Sequence, residues 1–159
     1  VKADSLEDVD ASIRAIASKM NMAARGETLI ASLHKDMESA VGTQNRQTKP
    51  KALMVIQRRP LVVAGSGTFL SSLMDKAGVD NIAGASTLPY PRFSMEAVIA
   101  RAPEVIFDLD AADPGDYWSR YAASPAVKNG KVVRLPPDLF VPGPRIPEAL
   151  KALVTATAP

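Results

Sequence analysis

The chain has no cysteine and one histidine, His34, in 159 residues. Thiolate zinc sites, cysteine nucleophiles, multi-histidine metal centres and most Ser-His-Asp arrangements are thereby excluded. Any catalysis would rest on carboxylates, Lys, Arg, Ser or Tyr. The absence of Cys suits an oxidising compartment, where a stray thiol is a liability, and is equally compatible with a cytosol. No apolar run approaches the ~18 residues of a membrane-spanning helix. Nor does one charge dominate: 19 Lys plus Arg stand against 17 Asp plus Glu, and residues 1–50 hold seven of each sign. A nucleic-acid partner would call for a basic stripe, and none is visible, so none is expected. The chain opens on Val1 with no basic segment leading into an apolar one, which reads as a processed chain or a fragment.

What is present is a globular balance, 47% apolar against 23% charged, in a length that suits one domain with one core. Leu6, Val9, Ile13, Ile16 and Met20 recur at three- and four-residue steps, and Ser5 with Asp8 forms a capping-box pattern, so residues 5–20 are expected to be an amphipathic helix. An interruption is expected over Asn21–Gly26. A second helix then carries Leu29, Leu33 and Met37, with no second ligand one turn from His34, which points to a surface or packing role for that residue. From Lys51 the pattern changes to short branched apolar runs. Residues 52–56, 61–64, 104–109 and 131–135 read as strands, with a short strand or turn at 81–83. Helices are expected at 68–77, from Ser94 to Arg101, from Pro114 through Trp118 and Tyr121, and at 147–157. Strands alternating with helices predict a three-layer, Rossmann-like α/β unit with a mostly parallel sheet, preceded by a helical connector.

Several segments are candidates for function. Gly65-Ser66-Gly67-Thr68 follows a strand and opens a helix, a place where backbone N–H groups favour a polar ligand. A dinucleotide fingerprint would want a small residue where Leu70 stands and an acid where Ala85 and Ser86 stand, leaving a simple strand–helix turn or a ligand-facing loop. Residues 105–110 end in Asp108-Leu-Asp110 and resemble the motif of haloacid-dehalogenase-type phosphotransferases, in which the first Asp is the nucleophile and the second the general acid. The Gly-Thr that follows in that family is replaced by Ala111-Ala112. The favoured reading is a solvated loop in which Asp113 caps a helix starting at Pro114. Tyr90-Pro-Arg92-Phe93 offers a stacking face and a cation on a rigid mount, or ordinary packing. Arg145 begins the last helix, where a cation opposes the macrodipole, so an internal carboxylate or an anionic ligand group is expected beside it. Glu96, two residues after Ser94, is favourable there on electrostatics alone.

Three segments taken together resemble the C-terminal lobe of class III periplasmic substrate-binding proteins of ABC importers, the group that binds cobalamin, haem and iron–siderophores. They are Arg59-Pro-Leu-Val-Val-Ala-Gly-Ser-Gly-Thr-Phe-Leu continuing to Asn81; Tyr90-Pro-Arg-Phe-Ser94-Met-Glu96 with Arg101-Ala-Pro-Glu-Val-Ile106; and Pro125-Ala-Val-Lys-Asn-Gly-Lys-Val-Val with Asp138-Leu-Phe-Val-Pro-Gly-Pro-Arg145. The wording is most similar to the cobalamin branch, with haem or siderophore receptors as the alternative. The resemblance implies a binding protein, not an enzyme, periplasmic or tethered outside a membrane. It implies that Gly65, Ser66, Gly67, Thr68, Phe69, Tyr90, Arg92, Phe140 and Arg145 border the ligand, and that Glu96 pairs with Arg residues of the permease. No resident cofactor is implied; cobalamin or another metal chelate is the cargo. Residues 1–48 correspond to the connector between lobes and 49–159 to the C-terminal lobe, while the N-terminal lobe is missing. The chain then carries half a cleft and needs that lobe, or a partner chain, to complete it.

Overall fold

A computed structural model describes residues 5–42 and 48–158. Helix α1 (Leu6–Lys19) starts where the capping pattern puts it. The Ser5 hydroxyl oxygen accepts from the Asp8 N–H at 3.1 Å, and the Ser5 N–H donates back to the Asp8 carboxylate at 3.2 Å. Two otherwise orphaned donors are satisfied reciprocally. The break that follows is shorter than expected: the chain turns at Met20–Met22, and α2 (Ala23–Val41) is under way before Gly26. Gly26 is a contact residue and not a breaker, because a Cβ there would lie 2.6 Å from the Cβ of Ala17 on α1. Exposed links, Arg14 to Glu27 and His34 to Asp10, each at 2.8 Å, join the same two helices outside that contact. His34 therefore does surface work.

The sheet contains β1 (Lys51–Arg58), β2 (Leu61–Val63), β3 (Asp80–Asn81), β4 (Val105–Asp108) and β5 (Val132–Arg134), in the order β2-β1-β4-β5, with β3 beside the start of β1. All pairings are parallel except β2, which folds back on β1. Helices α3 (Phe69–Lys76), α4 (Met95–Arg101), α5 (Pro125–Lys128) and α6 (Ile146–Ala156) cover both faces. Because neighbouring strand residues point to opposite faces, Met54 and Phe107 meet α2, α3 and α6 through Met37, Leu73 and Leu150. Leu53, Val55 and Ile106 meet Val98 of α4, Trp118 and Ala126 on the other face. Residues 52–55 are wholly buried, as a parallel strand covered on both sides requires. This is the expected three-layer α/β unit, and α2 shares its core.

The helix expected from Pro114 does not form. Asp113 accepts from the Gly115 N–H at 3.1 Å and closes an Asx turn instead of capping a helix, so only a 3₁₀ turn, Trp118–Tyr121, remains. A second 3₁₀ turn, Pro137–Phe140, precedes α6. The parallel strands point their carboxyl ends to one edge, where residues 59–60, 109–117 and 135–145 emerge. In open α/β sheets that edge is where ligands bind. Among the described residues no helix is long and apolar enough to cross a membrane.

Replacing Gly26 by Val forces α1 and α2 apart. Chemical denaturation should show a loss of about 1–3 kcal/mol, the usual cost of overpacking.

Candidate functional site

The segment from Ser86 to Phe93 runs alongside β2 as a further edge. The Val63 N–H donates to the Pro91 carbonyl at 3.1 Å, the Phe93 N–H to Leu61 at 3.0 Å, and the Gly65 N–H to Pro89 at 2.8 Å. Ser66 adds its hydroxyl to the Ser86 carbonyl at 2.5 Å. Gly65 is buried in this contact: a Cβ on it would stand 2.3 Å from the Leu88 carbonyl oxygen. The loop is thus a mount that holds Tyr90, 53% exposed, at the rim. Thr68 caps α3, accepting from the Ser71 N–H at 3.1 Å while its hydroxyl donates to Gly65 at 3.0 Å. Phe69 and Phe140 lie in one buried cluster, each 5% exposed, beneath the loops. Gly67 and Arg92 are exposed.

Arg145 stands on a separate loop at the start of α6, with an internal answer to its charge. It donates to Glu148 at 3.1 Å and to Asp138 at 3.2 Å. These carboxylates hold its pKa above the usual guanidinium value, the Glu148 hydrogen bond contributing most. Glu96 is exposed in the first turn of α4, after Ser94, whose hydroxyl oxygen accepts from the Ala97 N–H at 3.2 Å. Hydrogen bonds from its own N–H and from Ser94 keep the Glu96 carboxyl below the usual carboxylate range. It is a fixed negative charge at the edge of the lobe.

Residues 111–113 are exposed, as a solvated loop would be, but Asp108 is not part of that loop. The Asp108 side chain is fully buried, and so is that of Arg58 at the end of β1, 4% exposed. The Arg58 guanidinium donates to Asp108 Oδ2 at 2.6 Å and the Trp118 indole N–H to the same oxygen at 2.7 Å, while the Asp110 N–H reaches Oδ1 at 3.1 Å. Arg58 also donates to the Ala112 carbonyl. With both carboxylate oxygens occupied and no exposed face, Asp108 cannot attack a phosphate, and the phosphotransferase reading fails. Asp110 accepts from the Arg58 N–H at 2.8 Å and the Ala112 N–H at 3.0 Å. Burial pushes its pKa up, but those two donors and the charges of Arg58 and Arg134 outweigh it, so the carboxyl sits below the ordinary Asp value. The Tyr117 hydroxyl donates to the Arg58 carbonyl at 3.0 Å. Burial raises the phenol pKa, which keeps that proton in place. Beside this cluster lies an open cavity of about 540 Å³, lined by Arg59, Asp110, Asp113 and Tyr117 among others.

The family model described as "Periplasmic binding protein" matches residues 2–139. The chain belongs to the periplasmic binding protein family. Among relatives, a vitamin B12-binding protein of Vibrio parahaemolyticus is 24% identical over 149 residues, covering 92% of this chain and 54% of the relative. The structure is similar to a possible iron-binding, periplasmic solute-binding protein of Staphylococcus epidermidis, with a TM-score of 0.89 at 21% identity over 98% of this chain and 63% of the other. It is also similar to a periplasmic heme-binding protein of Roseiflexus sp. RS-1, with a TM-score of 0.81 at 27% identity over 96% of this chain and 62% of the other. The chain spans about half the length of the curated relatives it matches.

In this periplasmic binding protein fold, Arg58 and Tyr117 were illegible from the sequence alone. The available signal was a cation ending one apolar strand and an acid ending another, 50 positions apart. Removing one member of the buried pair leaves the other charge unanswered. Asp108→Ala should therefore cost about 3–5 kcal/mol in denaturant titration, and Arg58→Leu combined with Asp108→Leu less than the sum of the two single losses. Asp110 has a lowered folded-state pKa, so its contribution is complete above its unfolded value of about 4 and is lost as pH falls through the folded one. Asp110→Asn should flatten the stability-versus-pH curve below about pH 4, measured by thermal unfolding.

Proposed function

We propose that this chain is one lobe of the solute receptor of an ABC importer, holding half of a cleft that captures a cobalamin-type ligand. The observation that carries the reading is the Tyr90 mount. An exposed ring is fixed by backbone hydrogen bonds and the Gly65 contact along the β2 side of a rigid sheet, as a receptor for a large flat ligand requires. Vitamin B12-binding relatives support the corrinoid, and the 27% identical heme-binding structure supports haem or an iron chelate as the second reading. On this reading Gly65, Ser66, Gly67, Thr68, Phe69, Tyr90, Arg92, Phe140 and Arg145 form or support the ligand face, with Phe69 and Phe140 acting from below. The metal chelate is cargo, not a cofactor, and the protein works by capture and release without chemistry. Its place is the periplasm or the outer side of a membrane.

Glu96 fits a permease contact through a charge pair that contributes more to on-rate and register than to affinity. In a two-lobed receptor carrying this lobe, Glu96→Arg should leave cyanocobalamin affinity unchanged and impair uptake in transport assays; undiminished uptake would refute the docking role. Half a cleft forfeits the enclosure that buries ~70–90% of a typical ligand's surface. The 159 residues alone should accordingly bind cyanocobalamin more weakly than micromolar by calorimetry.

A further inference from the structure

Helices α1 and α2 form an antiparallel hairpin, since Ala17 meets Gly26, Arg14 meets Glu27 and Asp10 meets His34. Gly26, Ile30, Leu33 and Met37 turn one side of α2 inward. The positions one residue earlier, Arg25, Leu29, Ser32 and Asp36, lie about 100° round the helix and are all exposed. Between that stripe, Ile13 and Ile16 of α1 and the 142–144 loop runs a largely apolar groove of about 430 Å³. Among the described residues, four of the seven large apolar side chains that stand exposed belong to this hairpin: Ile16, Met20, Met22 and Leu29. The exposed apolar surface is therefore concentrated here and not scattered.

The charges on the stripe say what covers it. Arg25 stands near the turn of the hairpin and Asp36 toward its open end, about 16 Å away along the helix. Both are exposed, and among the described residues neither is in an ion pair. A second copy of α2, laid antiparallel across the first with a twofold axis midway between Leu29 and Ser32, brings each Arg25 to the other copy's Asp36. The same axis brings each Leu29 to the other copy's Ser32, because positions 25 and 36 share the midpoint of 29 and 32. The small Ser32 leaves room for the facing Leu29, a ridge-into-groove fit, and Ile16 and Met20 flank the contact. A parallel arrangement would set like charges against each other at both ends.

We infer that this face of the α1–α2 hairpin is a self-complementary interface with a second copy of the chain, held by apolar contact around Leu29 and Ile16 and registered by two Arg25–Asp36 pairs. The inference needs no ligand and stands apart from the receptor reading.

The test is sedimentation of the 159-residue chain and of three variants at low ionic strength. The unaltered chain should be dimeric at about 100 μM and dissociate on dilution. Arg25→Asp and Asp36→Arg should each weaken the dimer about tenfold, because each sets like charges opposite one another twice. Mixed in equal amounts, these two variants should associate about as tightly as the unaltered chain, since the heterodimer restores both opposite-charge pairs. Leu29→Lys should leave a monomer. All three positions are exposed, so the circular dichroism of each variant should match that of the unaltered chain. The inference is overturned if the unaltered chain is monomeric at that concentration, if Leu29→Lys still dimerises, or if mixing the two charge variants restores nothing. A chain that dimerises alone but not within a two-lobed receptor would assign the face to the second lobe, and that also overturns it.

Discussion

The end of β1 and the loop after β4 are held together by one buried ion pair, Arg58 with Asp108. Taking two such charges out of water costs several kcal/mol per ion, so the pair survives only because nearly every polar group in it has a partner. Asp108 receives Arg58, the Trp118 indole and the Asp110 N–H; Arg58 reaches Ala112 as well as Asp108, and its own N–H and carbonyl are taken by Asp110 and Tyr117. β1 and β4 could slide or splay only by exposing an unpaired charge to an apolar interior. The two strands whose carboxyl ends frame the candidate site are thereby fixed relative to each other, and Trp118 and Tyr117 are fixed with them.

On the other side of β1, order depends on a missing side chain. β2 has three residues and would be an exposed edge. The 86–93 segment covers it, using the Val63 and Gly65 amides and the Leu61 carbonyl, which removes the unpaired groups that make edges sticky. Only glycine allows the approach at position 65, where any Cβ would overlap the Leu88 carbonyl. Tyr90 is half exposed, yet the carbonyls on either side of it, of Pro89 and Pro91, are tied to Gly65 and Val63. Arg145, by contrast, is positioned electrostatically, by Glu148 and Asp138 acting against the helix dipole that would otherwise disfavour it.

These two kinds of positioning explain what could be read from the sequence. Local signals were legible: the Ser5–Asp8 box, the helix starts near Thr68 and at Ser94, and the branched runs at 52–56 and 104–109 all correspond to elements where they were expected. The resemblance to periplasmic binding proteins supplied the family, which spacing alone could not. What was misread depended on long-range neighbours. Gly26 looked like a breaker because its partner, Ala17, belongs to another helix. Asp108 looked solvated because its partner is 50 residues away, and acids near Ala-Ala and Pro normally sit in loops. The helix expected from Pro114 lost to an Asx turn, a competition between side chain and backbone that composition does not decide.

The division between buried and exposed groups separates side chains that are fully occupied from those left to solvent. The best-placed nucleophile or acid, Asp108, has no free oxygen, and Asp110 is occupied by backbone donors. Exposed to solvent are apolar and stacking side chains, Leu88 at 60%, Tyr90 at 53% and Val141 at 56%, together with charges such as Arg92 and the paired Arg145. Exposed apolar side chains on a fixed backbone gain by being covered, and they lose little entropy when it happens. A second surface closing over this one would convert that wet area into enclosure. On the receptor reading proposed above, the rigidity set by Arg58, Asp108 and Gly65 would belong to a half-site prepared in advance, with the affinity residing in the closure.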